Sequence, residues 1–254
     1  TANIGLLVGP AVSGLGIALI GAQNVLYVDA ATFLVSALCL MPIRTQETLH
    51  PGLRSKGWTE DVGSDLLAGF RFVFVEQKTV LLLMLTATLY SVGIGAFVFL
   101  LPVFAKDVLA VGPIQLGWLW SALGVGMLIA SFGLASIAQG DFSRRLHLIS
   151  LALAVGGLAV GTLRFMEAPL AAGLVIAMIG VSTAMFTPLV WTTLQELTPA
   201  PLLGRVFTSF ATGGMAASMA GMAGFGWATD RLGPGVSLGG ISFILLITAI
   251  AVGT

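Results

Sequence analysis

Charge is what this sequence has least of. Of its 254 residues only 9% are Asp, Glu, Lys or Arg, eleven basic against eleven acidic, where soluble domains carry about 25%. A water-facing surface cannot be built from so few charges, so most of the outer surface must face lipid. The zero net charge excludes the basic face that a nucleic-acid partner requires. The single cysteine, Cys39, excludes an internal disulfide and a cysteine-rich metal site, and within its apolar run it reads as a small buried or lipid-facing side chain. Both histidines, His50 in a polar connection and His147 at the edge of one, lack partners at metal-ligand spacing. No metal and no other cofactor is therefore expected. Paired acids, or a nucleophile beside a base, do not converge at either membrane face, so the chain does not read as an enzyme. A filter segment or charged pore ring, which a channel needs, is also missing.

Long apolar runs take the place of charge. Hydrophobic residues make up 57% of the chain, which also holds 33 glycines. Crossing a hydrocarbon core about 30 Å thick takes roughly 20 residues of helix. Eight segments qualify: Asn3–Ile20, Asn24–Met41, Thr79–Phe104, Ile114–Ala138, Leu146–Leu163, Leu170–Leu194, Val206–Ala228 and Val236–Val252. The runs lack period-two alternation and exceed barrel-strand length, and lipid leaves helices as the default. The expected fold class is an all-α membrane protein of eight transmembrane helices. Counting sides alternately, Arg44, Arg54, Lys56, Arg71, Lys78, Arg144, Arg145 and Arg205 share one side, and Lys106, Arg164 and Arg231 the other. Eight against three places the long connection in the cytoplasm.

That connection, Pro42–Lys78, is the only sizeable polar stretch. Its second half, SDLLAGFRFVFVEQ, sets Leu66, Leu67, Phe70, Val73 and Phe74 at helical spacing behind Ser64 as N-cap. The pattern predicts an amphipathic helix at the inner membrane surface. It divides the chain into residues 1–41, the last two helices of an N-terminal bundle; 42–78, a cytoplasmic linker; and 79–254, a six-helix bundle. Thr79–Leu163 and Leu170–Val252 are expected to be two three-helix units of inverted topology, as in secondary transporters. The chain begins at Thr1 and enters an apolar span at once, without the basic start of a signal peptide. It reads as cut from a longer protein whose first four spans lie upstream.

The opening stretch GLLVGPAVSGLG places Gly5, Gly9 and Ser13 four residues apart, a smooth stripe that admits a second helix closely. Pro10 between them bends the helix. Gly5, Gly9, Pro10 and Gly14 also match G-x-x-x-G-P-x-x-G-G, the antiporter motif, with Ser13 where a glycine is usual. Further on, Pro102, Gly112, Gly117, Gly124 and Gly126 follow a proline–loop–glycine-rich helix pattern. In LQELTPAPLLGRVFTSF, Pro199 and Pro201 precede the Gly204–Arg205 pair. By these stretches the chain resembles the major facilitator superfamily, in the bacterial efflux branch of enterobactin-exporter-like proteins, matched to the family's helices five to twelve. Between helices eight and nine the family's signature loop is weak here: GDFSRRLH keeps only Gly140, Asp141, Arg144 and Arg145.

The resemblance implies a partial major facilitator fold and a multi-pass secondary transporter of the cell inner (plasma) membrane. The implied function is proton-coupled efflux of a small amphipathic molecule (drug, siderophore or metabolite) by alternating access. Proton-coupled uptake, or a non-transporting membrane receptor or scaffold, are the alternatives. Expected partners are the small-molecule substrate, protons and the lipid bilayer, with no nucleic acid, and the complete protein is expected to be a monomer. Family geometry puts the substrate cavity on the first and fourth helices of the six-helix bundle. The candidates there are Thr86, Tyr90, Ser91, Phe97, Ser182, Thr183, Phe186, Thr187 and Trp191, with Trp118, Trp120, Met127 and Met215 as soft additional contacts. Hydroxyls on membrane helices also bond back to their own backbone, which silences part of this set. Asp141, Arg144, Arg145, Glu196 and Arg205 are candidates for the cytoplasmic gate. No proton carrier is assigned, and eight helices without the other four are not expected to transport.

Overall fold

The computed structural model describes residues 16–17, 19–41, 77–137 and 142–253. The Gly5–Gly14 motif, most of the first expected span, the amphipathic helix of the linker and Asp141 lie outside the described residues. Within them the chain forms seven α-helices: α1 (Ala22–Leu40), α2 (Lys78–Asp107), α3 (Pro113–Ile137), α4 (Phe142–Leu163), α5 (Pro169–Leu197), α6 (Leu203–Leu232) and α7 (Pro234–Gly253). Each corresponds to one expected span. A proline opens α3, α5 and α7, where the missing N–H is one of the unbonded groups of a first helical turn anyway. Gly233, with φ 86°, ends α6 and is followed at once by the Pro234 start of α7.

Six of the seven are long and apolar enough to cross a membrane. The other is α6, whose 30 residues are rich in glycine, alanine, serine and threonine rather than leucine and isoleucine. It is long enough to span, and its low hydropathy comes from small side chains, not from charge. At about 1.5 Å per residue, α2 and α6, with 30 residues each, reach about 45 Å and must tilt or project beyond the hydrocarbon. Their polar ends extend each helix past the apolar limits that hydropathy marks.

Helices α2 to α7 pack as one bundle. Helix α2 lies along α6, α3 along α5 and α4 along α7, while α4 also packs on α5 and α2 on α7. Exchanging α2, α3, α4 for α5, α6, α7 carries α2/α6 into α3/α5 and α4/α5 into α2/α7 and leaves α4/α7 in place, the packing expected of two repeated three-helix units. The α2/α6 and α3/α5 pairs run parallel and touch through glycine. A Cβ on Gly126 would overlap the Ala177 carbonyl, and one on Gly180 would overlap that of Leu123. In the other pair Gly221 stands against the Val92 carbonyl in the same manner. Such contacts bring backbones together where lipid supplies no hydrophobic drive.

The α4 contacts are held instead by hydroxyls. Ser242 Oγ donates to Gly157 O at 2.7 Å and Ser150 Oγ to Ala249 O at 2.7 Å, both across α4/α7. Ser182 Oγ donates from α5 to Ala152 O at 2.7 Å. Each such bond contributes about 0.6 kcal/mol on average inside a membrane bundle. The core they enclose is aliphatic and phenylalanine-rich, with Leu83, Phe97, Leu100, Phe104, Ile149, Leu153, Ile176 and Leu194 sealed from the surface. Helix α1, mostly apolar but carrying Gln23, Asn24 and Asp29, keeps its side chains largely exposed.

Candidate functional site

Helices α2 and α5, the first and fourth of the six-helix bundle, touch each other only lightly. Aromatic side chains mark the crossing. Tyr90 stacks on Phe186, ring centroids 4.0 Å apart and planes inclined at 27°. Each residue lies near the middle of its helix, and both are buried. Aromatic pairs add about 0.5–1.5 kcal/mol beyond the area they cover. The Tyr90 hydroxyl has no hydrogen-bond partner. The Thr183 hydroxyl beside it donates to its own helix at Ile179 O, 2.9 Å.

The remaining candidates divide by where their polar atoms point. Thr86 donates to Leu82 O and Ser91 to Ala87 O, each closing a bond within α2. Ser182 faces α4 rather than α2, and Phe97 is packed in the core. Thr187 is exposed. Trp191 is partly exposed one turn beyond it and heads a cluster with Phe207 (4.6 Å) and Phe210 (5.7 Å, edge-on) of α6. The sequence reading missed both phenylalanines; their spacing of three on one face of α6 was the available signal. Of the additional soft contacts, Trp118 and Met215 are exposed, while Trp120 and Met127 pack against the core.

At one end of the bundle α4 begins and α5 finishes. Two of the gate candidates meet there: Arg145 forms an ion pair and hydrogen bond with Glu196, 51 residues away in sequence. Arg145 is mostly buried and Glu196 about half exposed. Arg144 stands exposed next to the pair and Arg205 half-buried in the first turn of α6. The opposite end carries Lys106 at the close of α2, Arg164 over the Phe165 ring, and Arg231 at the close of α6. Arg144, Arg145 and Arg205 therefore lie at one face and Lys106, Arg164 and Arg231 at the other, as alternate crossing demands. On the Lys106 side an apolar groove of about 560 Å³ runs between α3 and α5, lined by Trp118, Leu119, Leu170 and Leu174. No group of histidine, cysteine and acidic residues among the described residues could hold a metal.

Comparison with known proteins supplies the kind of molecule this bundle serves. The chain matches the model of the Major Facilitator Superfamily over residues 1–222. It is 30% identical over 207 residues to the multidrug efflux pump Tap of Mycolicibacterium fortuitum, covering 80% of this chain and 48% of that protein. The Tap pump of Mycobacterium tuberculosis (strain ATCC 25618 / H37Rv) is 27% identical over 232 residues, 91% of this chain and 54% of that protein. The enterobactin exporter EntS of Escherichia coli O81 (strain ED1a) is 27% identical over 252 residues, 98% of this chain and 58% of that one. The chain thus spans about half the length of the curated relatives it matches. Those relatives are transporters, not enzymes. With several apolar helices long enough to cross a membrane, this chain belongs to the major facilitator superfamily, as a multi-pass protein of the cell inner membrane.

Proposed function

We propose that the chain is the portion from helix five to helix twelve of a secondary transporter that exports a small amphipathic molecule. Efflux is the activity named for the Tap and EntS relatives, and the bundle offers a place for it. Coupling to protons and alternating access are part of the proposal. So is the division into a two-helix remnant of the first half, a linker over 42–78 and a six-helix second half.

The observation that carries the reading is the stacked Tyr90–Phe186 pair at the light crossing of α2 and α5. A midplane position between two repeated units is where transport sites form. An aromatic pair offers broad apolar contact, and the Tyr90 hydroxyl, without a partner, can meet one polar group on a ligand. On this reading α2 and α5 part as the solute enters, and the ring stack is replaced by ring–solute contact. The Arg145–Glu196 pair and the Trp191–Phe207–Phe210 cluster close the cytoplasmic end, while Gly5, Gly9, Pro10 and Gly14 shape the contact with the other half.

The test uses the intact gene in cells lacking their own efflux pumps, followed with a fluorescent amphipathic dye. Expression should lower dye accumulation, and a protonophore should abolish the difference. Tyr90→Ala should lose most of the effect at unchanged protein level. Dye accumulation that is indifferent to expression defeats the efflux reading; efflux that survives the protonophore defeats proton coupling alone.

A further inference from the structure

A second cavity lies away from the α2/α5 crossing, between the last turns of α2 and α6 on the Lys106 side of the bundle. It encloses about 300 Å³ and is lined by Phe99, Leu100 and Val103 of α2 and by Met222, Ala223, Gly226, Trp227, Thr229 and Asp230 of α6. Gly226 shapes its wall. The Phe99 ring edge lies 3.1 Å from where a Cβ on residue 226 would stand, so the missing side chain lets the ring lean across α6. Phe99 and Trp227 are 50% and 64% exposed, and neither ring is paired with another aromatic among the described residues.

The polar atoms of the lining are unequally engaged. Thr229 Oγ1 donates to Phe225 O at 2.7 Å and shares a hydrogen bond with Ser237, so it is used up inside the protein. The exposed Asp230 carboxylate has neither a hydrogen bond nor an ion pair with any described residue. The only charge lining the cavity is therefore negative. Lys106 stands one helical turn past Val103, and Arg231 follows Asp230 around the helix; neither lines the cavity. A carboxylate beside two exposed aromatic side chains and the Met222 thioether is a combination suited to a cation with an apolar body. Ring faces attract cations within about 6 Å of the centroid, most strongly where water is partly excluded, and thioether sulfur adds polarizable contact. About 300 Å³ is the small end of ligand pockets and limits the occupant to a single ring system.

We propose that this cavity is a binding site for monovalent organic cations carrying an aromatic ring, separate from the Tyr90–Phe186 crossing. Asp230 supplies the counter-charge, Trp227 and Phe99 the ring faces, and Gly226 the space. The site stands on its own geometry and does not depend on the transport reading.

The test is equilibrium binding of benzyltrimethylammonium to the purified protein in uncharged maltoside micelles, by calorimetry and with no ion gradient. Saturable binding is expected. Asp230→Asn and Trp227→Ala should each weaken it about tenfold or more, whereas Trp227→Phe, which keeps a ring face, should weaken it less than threefold. Asp230 is exposed, so its amide variant should elute and unfold like the parent, and both are checked. Tyr90→Ala should leave the affinity unchanged, which separates this site from the proposed transport site. Equal affinity in the parent, Asp230→Asn and Trp227→Ala overturns the proposal, as does loss of binding on Tyr90→Ala alone. Failure here leaves the efflux proposal standing, because that rests on flux and not on this affinity.

Discussion

Glycine at the parallel helix pairs should behave oppositely to glycine on the open face of the bundle. The perturbation is a single methyl group, added as Gly180→Ala in α5 or as Gly213→Ala in α6. Helix propensity treats the two alike, each gaining about 1 kcal/mol from alanine in a helix interior. Their surroundings differ. The new Cβ at position 180 would overlap the Leu123 carbonyl and also meet the Met127 nitrogen at 3.1 Å, while position 213 has nothing within 4 Å. The obstruction at 180 is backbone, so no rotamer change relieves it, and α3 and α5 must separate along the seam. Overpacking of that order costs about 1–3 kcal/mol, enough to cancel the propensity gain and exceed it, and the separation would also loosen the reciprocal contact of Gly126 with Ala177. Thermal unfolding of both variants in the same detergent, followed by circular dichroism, measures the contrast. Gly180→Ala should unfold below the parent and Gly213→Ala at or above it. Should the two variants unfold together, the close approach of α3 and α5 is not what holds this pair.

Other substitutions test individual contacts. Tyr90→Phe removes a buried hydroxyl that has no partner while keeping the ring on Phe186, so stability in the unfolding assay should stay level or rise, since an unsatisfied buried polar group carries a penalty of about 1–3 kcal/mol. Ser182→Ala, which loses the bond to Ala152 O, should cost about 0.6 kcal/mol, whereas Ser182→Val should cost more, because Gly156 lies directly against that side chain. Arg145→Glu should leave like charges facing each other at Glu196; the double variant Arg145→Glu with Glu196→Arg should restore the parent's unfolding midpoint. Because Glu196 is about half exposed, the single change should amount to no more than about 1 kcal/mol. Cysteines placed at Arg144 and at Lys106, in a background with Cys39→Ser, should react with an impermeant maleimide from opposite sides of the membrane.

Hydropathy made the helices legible because lipid demands an unbroken apolar run, and each described span lies at its expected place. Their ends were harder to read. Helix α4 starts at Phe142 rather than Leu146, since Ser143, Arg144 and Arg145 form a helical turn that protrudes into water, where hydropathy carries no signal of helix. The rotation of each helix was also hidden. Adjacent Ser182 and Thr183 read alike in sequence, yet one crosses to Ala152 and the other bonds within α5. Arg145 and Glu196 were singled out separately as end-of-helix charges, but nothing in a linear reading joins residues 51 apart. Phe99, Trp227 and Asp230 went unremarked for the same reason: their significance arises only when α2 and α6 are laid side by side. The Tyr90–Phe186 pairing was accessible in part, because both belong to the helices that the inverted-repeat reading places at the centre.

Pro102 and Pro188 each sit inside a helix, and that helix is α2 in one case and α5 in the other. Neither ring leaves an N–H for the carbonyl one turn earlier, so each rod lacks one backbone hydrogen bond at that level. Because α2 and α5 run in opposite directions, Pro102 falls toward the Lys106 face and Pro188 toward the Arg145 face. The glycine-clamped neighbours α3 and α6 contain no such interruption. The missing backbone bonds of this helix pair thus fall on opposite sides of the midplane, one in each rod.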